Sequence, residues 1–369
     1  MREKKGEISA EEQYYIASQW QLMWRKFKKH KLAIFGGTVL AILYILAIFC
    51  GFFSPYNIYK RHTQYVDCPP QKIHFFDENG FHLRPFVYGI KREIDPKTWR
   101  KIYTENKTKK YPIYFLIHGN KYKFWNLFET DIHLFGVKEG TIFLFGTDKL
   151  GRDLFSRNFS AARISLSIGL VGVTLSFVLG AILGGLSGYY GGAADTIIQR
   201  VIEYLISIPT IPLWMALSAA VPLHWSPIKV YFGITIILSI VGWCGLARVV
   251  RGKLLGLREE DFVMAAKIAG ATDGRVITRH LLPSFLSYLI VSLTLAIPAI
   301  IIGEIALTFL GLGIRPPAVS WGTLLEDARN VRALTLHPWL LIPGLFVIVT
   351  VLVFNFLGDG LRDAADPYK

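Results

Sequence analysis

The chain has 369 residues, of which 52% are hydrophobic, and its mean hydropathy is +0.37. This composition excludes an ordinary soluble domain and indicates several membrane-spanning helices. The formal net charge of +14 does not indicate nucleic acid as a partner. In a membrane protein, basic residues set orientation and contact anionic headgroups. The three cysteines, Cys50, Cys68 and Cys244, are too dispersed to predict a disulfide framework.

The amino-terminal segment 1–31 is predicted to be cytoplasmic and amphipathic. Aromatic residues suit a helix that lies at the membrane interface, and a dense basic cluster before the first apolar run favours a cytoplasmic amino terminus. The aromatic residues are Tyr14, Tyr15, Trp20 and Trp24, and the basic ones are Arg25, Lys26, Lys28, Lys29 and Lys31.

Six apolar runs of about 20 or more residues predict membrane-spanning helices, because that length crosses the hydrocarbon core. The runs cover about 32–54, 163–187, 198–221, 229–250, 284–312 and 337–358. The first is too long for a signal peptide and lacks a small-residue cleavage site, so we expect it to remain as an anchor. Six spans return the carboxyl terminus to the cytoplasm. The predicted fold class is an all-α polytopic membrane protein.

Residues 55–157 follow the first predicted span, 32–54, and are therefore expected outside the cell. Their many lysines do not oppose this, because long loops translocate largely regardless of charge. Two segments predict hairpins, one turning at Asp77–Gly80 and one at Gly119-Asn120. We therefore expect a small β-rich extracytoplasmic insert between helices 1 and 2.

The segment FGTDKLGRDLFSR, at 145–157, forms the predicted outer elbow. Thr147 or Asp148 is expected to cap a short amphipathic helix, with the arginines of the segment at the interface. Asp148, Arg152 and Asp153 indicate either a site for a charged peptide terminus or an ion-paired knot. The knot is the favoured interpretation.

The core, residues 158–369, carries further unusual residues inside apolar runs. Pro209 and Pro298 bend the predicted third and fifth spans, either around a translocation path or as static kinks. Glu304 is costly in hydrocarbon, so we expect it to line the path or to pair with a polar group on another span. Glycines four residues apart on the second span, Gly180, Gly184 and Gly188, predict close helix packing against an unidentified neighbour.

The cytoplasmic loop 251–283 predicts two helices between long apolar runs. The first begins with acidic residues near Asp261, and Gly270 is placed to end it. Thr272 or Asp273 is expected to cap the second, which leads to Pro283. The chain has no GxxxxGK[ST] phosphate loop, no HExxH and no paired cysteines, so its sequence predicts no ATP hydrolysis, metal site or catalytic site.

The spacing of Ala265-Ala266, Gly270 and Pro283 resembles the EAA loop of bacterial ABC-transporter permeases, although Met264 stands where Glu is usual and His280 where an apolar residue is usual. Further segments across residues 145–369 resemble the second permease subunit of the dipeptide/oligopeptide branch. These segments are FGTDKLGRDLFSR, ARISLSIGL, GYYGGAAD, FLGLGIRPPAVSWG and FNFLGDGLRDAADP.

The resemblance implies a type I importer permease in the bacterial inner membrane. Its expected partners are a homologous second permease, two ATPase subunits that hold ATP and Mg, a substrate-binding protein and the lipid bilayer. The implied coupling residues are Asp261, Ala265, Ala266, Gly270 and Pro283. The insert is expected to dock the binding protein, to shield the outer mouth or only to pack.

Substrates other than di- and oligopeptides stay open, namely oligosaccharides and metal complexes. Two functions of other classes also stay open. One is a membrane enzyme that uses Asp148 and Asp153, and the other is an ATP-independent channel or sensor.

Overall fold

In the computed structural model, the described part of the chain has five apolar helices long enough to cross a membrane, and one bent helix pair that forms a sixth candidate span. The structure describes residues 19–78, 80–97, 99, 101–124 and 127–365. Most of the predicted amino-terminal segment, including Tyr14 and Tyr15, lies outside the described residues.

The helices are numbered in chain order. They are α1 (Gln19–Lys29), α2 (Lys31–Ile48), α3 (Cys50–Phe53), α4 (Leu154–Tyr190), α5 (Gly192–Ser207), α6 (Thr210–Ala219), α7 (Pro227–Leu257), α8 (Asp261–Ile268), α9 (Asp273–Arg275), α10 (Leu282–Ser284), α11 (Leu286–Phe309), α12 (Trp321–Glu326), α13 (Val331–Leu336) and α14 (Ile342–Ala365).

The second predicted span begins earlier than its hydropathy suggested. Helix α4 starts at Leu154 rather than near 163 and runs for 37 residues. It starts there because Asp153 caps it, its carboxylate accepting a hydrogen bond from the Ser156 amide. A helix of that length is roughly 55 Å long, well beyond the ~30 Å hydrocarbon core. The helix is therefore longer than a perpendicular crossing of the hydrocarbon requires.

The third predicted span, 198–221, is not one straight helix. It divides into α5 and α6, which meet at 88°. Pro209 stands between them as the residue before α6. Proline has no amide hydrogen and restricts the residue before it to extended conformations, and Ile208 is extended. The first span is also shorter than predicted, since α2 ends at Ile48 and the short α3 follows.

The described residues of the insert between α3 and α4 form five antiparallel strands in two sheets. The strands are β1 (His74–Asp77), β2 (Gly80–Ile94), β3 (Lys101–Pro112), β4 (Tyr114–Phe124) and β5 (Phe128–Gly136), paired as β1-β2-β3 and β4-β5. Asp77 pairs with Gly80, as the turn predicted between them requires. The turn predicted at Gly119-Asn120 is wrong, because both residues lie at a register shift inside β4 and the hairpin reverses only after Phe124.

The core of the helical part lies between α2, α4, α7, α11, α12 and α14. Helices α4 and α7 approach most closely through the glycines of α4. A Cβ atom at Gly184 would lie 2.5 Å from the Ala247 carbonyl oxygen, and one at Gly188 would lie 2.7 Å from that of Arg251. The neighbour that the glycine spacing left unidentified is therefore α7 of the same chain.

Candidate coupling site

Helix α8 forms the first half of the predicted coupling loop, and its ends follow the sequence pattern. Asp261 lies in its first turn and Lys267 in its last, as the helix dipole favours. Gly270 has φ +79°. Its amide donates to the Lys267 carbonyl at 2.9 Å, and the Ala271 amide donates to that of Ala266 at 3.0 Å. These two bonds form a Schellman ending, which favours glycine at this position.

Helix α8 has one buried side and one exposed side. Val263 is fully buried in an inner cluster with Val250, Leu254 and Leu281, and Ala266 packs against the same cluster. On the exposed side, Asp261 and Ala265 are open to solvent, and so are three large apolar side chains. Their exposed fractions are 42% for Phe262, 48% for Met264 and 86% for Ile268.

Two of the predicted contact residues therefore differ in role. Ala265 lies on the open face, whereas Ala266 is half-buried against the chain's own core. The sequence analysis did not include Phe262 and Ile268 among the candidate contact residues. Each is three residues from Ala265, so all three lie on one face of the helix.

Tyr189, at the carboxyl-terminal end of α4, contacts the loop on the side away from the exposed face of α8. Its hydroxyl donates to the Asp273 carboxylate at 2.6 Å, and the Lys267 ammonium lies 5.1 Å from the centre of its ring. These contacts connect α8 and α9 to the longest helix of the chain. No sequence motif pointed to Tyr189 as a tether.

The second predicted helix of the loop is short. Thr272 precedes the three-residue α9 without a side-chain cap, and Val276–Leu281 then form a π-helical segment. Pro283 follows in α10 and is exposed. A proline in a first helical turn is well tolerated, and π segments occur often at functional sites.

Glu304 lies inside α11 and is fully buried. Its carboxylate accepts hydrogen bonds from the Ser165 hydroxyl on α4 at 3.0 Å and from the Thr308 hydroxyl at 2.8 Å. Ser165 also accepts from the Trp321 amide at 3.1 Å, and Thr308 from the Ile314 amide at 3.0 Å. Glu304 is therefore the centre of a polar network that holds α4, α11 and the start of α12 together.

The two prolines assigned to the translocation path occupy different surroundings. Pro298 is buried inside α11, while Pro209 is exposed at the bend between α5 and α6. If this bent pair forms one span, its irregular backbone must lie against protein or a water-filled cavity.

The outer elbow forms around Asp148, which is fully buried. Its carboxylate accepts from the Arg152 amide at 2.9 Å and from Arg152 Nε at 2.7 Å, and Arg157 Nε lies 3.6 Å away. Arg157 is 4% exposed, so its predicted position at the interface is wrong. The buried aspartate attracts it inward.

The prediction that Thr147 or Asp148 caps the helix at the elbow is also wrong. Neither Thr147 nor Asp148 caps a helix, since Asp153 has that role. The Thr147 hydroxyl instead accepts from the Cys68 amide at 2.8 Å and donates to the Tyr65 carbonyl. Burial raises the pKa of Asp153 to about 6. Among the residues that the structure describes, Asp148 and Asp153 are both buried inside the elbow, as the ion-paired interpretation requires.

Within the part of the chain that the structure describes, no group of three or more His, Cys, Asp or Glu side chains is arranged to hold a metal ion.

Two profiles of known families match this chain. The profile of the binding-protein-dependent transport system inner membrane component matches residues 176–368, which include α8 and the helices around it. The chain belongs to this family. A second profile, the N-terminal TM domain of oligopeptide transport permease C, matches residues 18–70. The chain is thus a membrane permease and not an enzyme, as its sequence predicted.

Full-length relatives support the assignment. The oligopeptide transport system permease protein OppC of Bacillus subtilis (strain 168) is 30% identical over 95% of this chain and 90% of its own length. The dipeptide transport system permease protein DppC of the same organism is 32% identical over 95% of this chain and 86% of its own length.

Among solved structures, an inward-facing MetNI methionine ABC transporter chain matches with 19% identity and a TM-score of 0.41. The match covers 55% of this chain and 93% of that one.

Proposed function

We propose that this chain is a permease subunit of an ATP-driven importer of di- and oligopeptides, and that α8 receives force from a separate ATPase subunit. The observation that carries the proposal is the exposed apolar face of Phe262, Ala265 and Ile268 on a helix whose other face is fixed to the core. Helix α8 has eight residues, too few to cross a membrane, and it lies between the candidate spans α7 and α11, so we place this face at the membrane surface. A protein groove is the fitting occupant.

The fixed inner face makes the loop suitable for transmitting force. Val263 in the inner cluster and the Tyr189–Asp273 hydrogen bond join α8 to α4, α7 and α11. A docked ATPase that moves α8 would therefore move these helices with it, rather than deforming a free loop. Rigid-body motion of this kind supports alternating access. ATP and Mg would be held by the ATPase chains.

The proposed topology places both termini and α8 in the cytoplasm and the β-rich insert on the other side of the bacterial inner membrane. The basic residues between Arg25 and Lys31 and those flanking α8 support this orientation. A second, homologous permease would complete the pathway, and an external binding protein would deliver the peptide. The insert and the elbow around Asp148, Arg152 and Asp153 would form part of the outer face.

For the translocation path, we propose a direct role only for the bend at Pro209, which is exposed. Glu304 and Pro298 are covered by the chain's own helices, so in this conformation they would shape the path from behind. The peptide cargo is supported by the relatives, which are oligopeptide and dipeptide permeases.

The test is substitution of Ile268 by glutamate in vesicles that contain the complete transporter. A buried carboxylate opposite an apolar groove is unfavourable, so we expect loss of ATPase co-purification and at least about tenfold slower uptake of a radiolabelled dipeptide. Leu223→Glu is the matched control, because Leu223 is 85% exposed in the turn after α6. It should retain uptake.

Normal uptake by Ile268→Glu would refute docking at this face, and uptake without ATP would refute coupling altogether. A transporter that moved a nickel complex or an oligosaccharide but no dipeptide would refute the cargo alone. Ala266→Trp is a poorer test, because Ala266 packs against the inner cluster and its enlargement would disturb the loop itself.

A further inference from the structure

A small cavity lies where the β4–β5 hairpin meets the ends of α2 and α4. Its volume is about 160 Å³. Its wall combines apolar side chains, such as Ile48 and Phe124, with three cationic ones, Lys121, Lys123 and Arg163, and contains no aspartate or glutamate. A mixed apolar and cationic wall fits an amphiphile that carries an anionic group.

The hairpin is held against the membrane helices by specific contacts. The ring nitrogens of His133 lie 3.1 Å from the Gly51 carbonyl oxygen and 2.9 Å from that of Asn120. The ring of Tyr122 packs on Gly51 so closely that a Cβ atom there would lie 2.4 Å from it. The cavity is thus built into the fold by a buried histidine and a glycine contact.

The tip of the hairpin continues the exposed apolar face of α2. Along α2 this face includes Ile45, which is 49% exposed, and it ends at Phe49, which is 41% exposed. The Phe49 ring lies 5.3 Å from that of Phe124. At the tip, Leu127 is 80% exposed and Phe128 57%. Because α2 spans the membrane, the tip beside its end lies at the membrane interface.

Arg163 is the cationic side chain of α4 in the wall of this cavity. It lies on α4, about 13 Å along the helix from Leu154. It is exposed, and among the described residues it has no hydrogen-bond or ion-pair partner. Lys123, by contrast, pairs with Glu129 at 3.9 Å. A lone arginine near hydrocarbon is costly unless its head reaches an anion, and its guanidinium matches phosphate oxygens.

We propose that this cavity binds the phosphate headgroup of a phospholipid from the leaflet on the insert's side, with Arg163 as the principal phosphate ligand and the hairpin tip dipping into the interface. The acyl chains would lie along Ile45 of α2 and Phe49, which follows it. The insert is then anchored to the bilayer as well as to the protein. This site is independent of the cargo and of the ATPase surface on α8.

The first test measures bound lipid on the full chain, purified in detergent with the subunits that accompany it. Dioleoyl-phosphatidylglycerol is added and the retained lipid is measured by native mass spectrometry. Arg163→Gln should weaken retention of one lipid about tenfold, as expected for loss of a charge-assisted phosphate contact. Arg200→Gln is the control, because Arg200 is an exposed arginine that already pairs with Glu203 at 2.7 Å.

Unchanged retention in Arg163→Gln would overturn the proposal. Displacement of the lipid by millimolar inorganic phosphate would show a free-anion site, and displacement by a dipeptide would show a substrate subsite, so either result would also overturn it. Gly51→Ala supplies an independent check. It should force the Tyr122 ring away, open the cavity and reduce lipid retention while Arg163 is intact.

The second test places a fluorophore at the hairpin tip. Selective labelling is feasible because all three native cysteines are buried. A probe on Leu127→Cys in reconstituted vesicles should be quenched by spin-labelled phosphatidylcholine, whereas one on Leu83→Cys should not. Leu83 is 89% exposed but lies on β2, in the other sheet. Equal quenching at both positions, or none at Leu127, would refute the placement of the tip.

Discussion

Two adjacent glycines on α4 allow a direct test of how this helix packs against α7. Gly184 faces α7, and an added Cβ would lie 2.5 Å from the Ala247 carbonyl oxygen and 2.8 Å from the Ala247 Cα. Gly185 faces elsewhere, and its added Cβ would meet only the Ile277 side chain at 3.9 Å, an ordinary contact. Gly184→Ala and Gly185→Ala therefore add the same methyl group, but only the methyl group at Gly184 would clash with α7.

Two contributions change the free energy of unfolding in these variants. Helix propensity is the same at both positions, whereas overpacking against α7 occurs only at Gly184. Alanine is better than glycine in a helix by about 0.8–1 kcal/mol, which applies equally at both positions. At Gly184 the contact is with backbone, which cannot rotate away, so α4 and α7 must separate. Overpacking of this kind destabilises by about 1–3 kcal/mol. We expect Gly184→Ala to be destabilised by up to about 2 kcal/mol net, and Gly185→Ala to be neutral or slightly more stable.

The assay is thermal unfolding of the detergent-purified protein, followed by dipeptide uptake in vesicles. Gly184→Ala should have a melting temperature below that of Gly185→Ala and reduced uptake, because the α4–α7 contact lies between the membrane core and the coupling loop. Equal melting temperatures for the two variants would refute the close approach of α4 and α7.

Three further predictions concern buried and partly buried charges. Because burial raises the pKa of Asp153 to about 6, the folded state binds its proton more tightly than the unfolded state, so stability should fall as pH rises from about 4 to 6, by up to about 3 kcal/mol. The fall should be absent in Asp153→Asn, as a pH series of melting temperatures will show. Glu304→Leu should be less stable than Glu304→Gln by about 1–3 kcal/mol in the same assay, since leucine leaves two buried hydroxyl donors without their acceptor. Asp195→Asn should destabilise the inner end by about 1 kcal/mol, because it weakens a bidentate pair with Arg251 that is partly screened by solvent. Glu203→Gln, at the exposed pair with Arg200, should change the melting temperature very little.

Hydropathy and capping rules predicted much of the helical framework. The long apolar runs, the helix from Asp261 and its ending at Gly270 follow from local patterns, and the structure contains them. These features depend on residues near one another in the chain. Span length, the dipole and the left-handed glycine conformation all act locally.

The features that sequence reasoning missed depend on distant contacts. Tyr189 and Asp273 are 84 residues apart, and Ser165 and Glu304 are 139 apart. The glycine spacing on α4 predicted a close neighbour without identifying it, because many helices fit such a groove. The hairpin turn was misplaced for a related reason, since pairing of β4 with β5 resumes beyond the irregular residues and overrides the local turn signal of Gly119-Asn120.

Helix α4 connects these separate observations. It begins at the elbow, where Asp153 caps it, and Ser165 in its amino-terminal half joins the Glu304 network. Gly184 and Gly188 pack closely against α7, and Tyr189 near its carboxyl-terminal end hydrogen-bonds to Asp273 of the proposed coupling loop. It runs 37 residues without a proline, so one uninterrupted helix connects the loop at one end to the elbow at the other. A movement of the loop would therefore shift the elbow as well. The same helix carries Arg163 beside the insert. If α8 receives force as proposed, that force would act on the core, the elbow and the insert together, because all three contact α4.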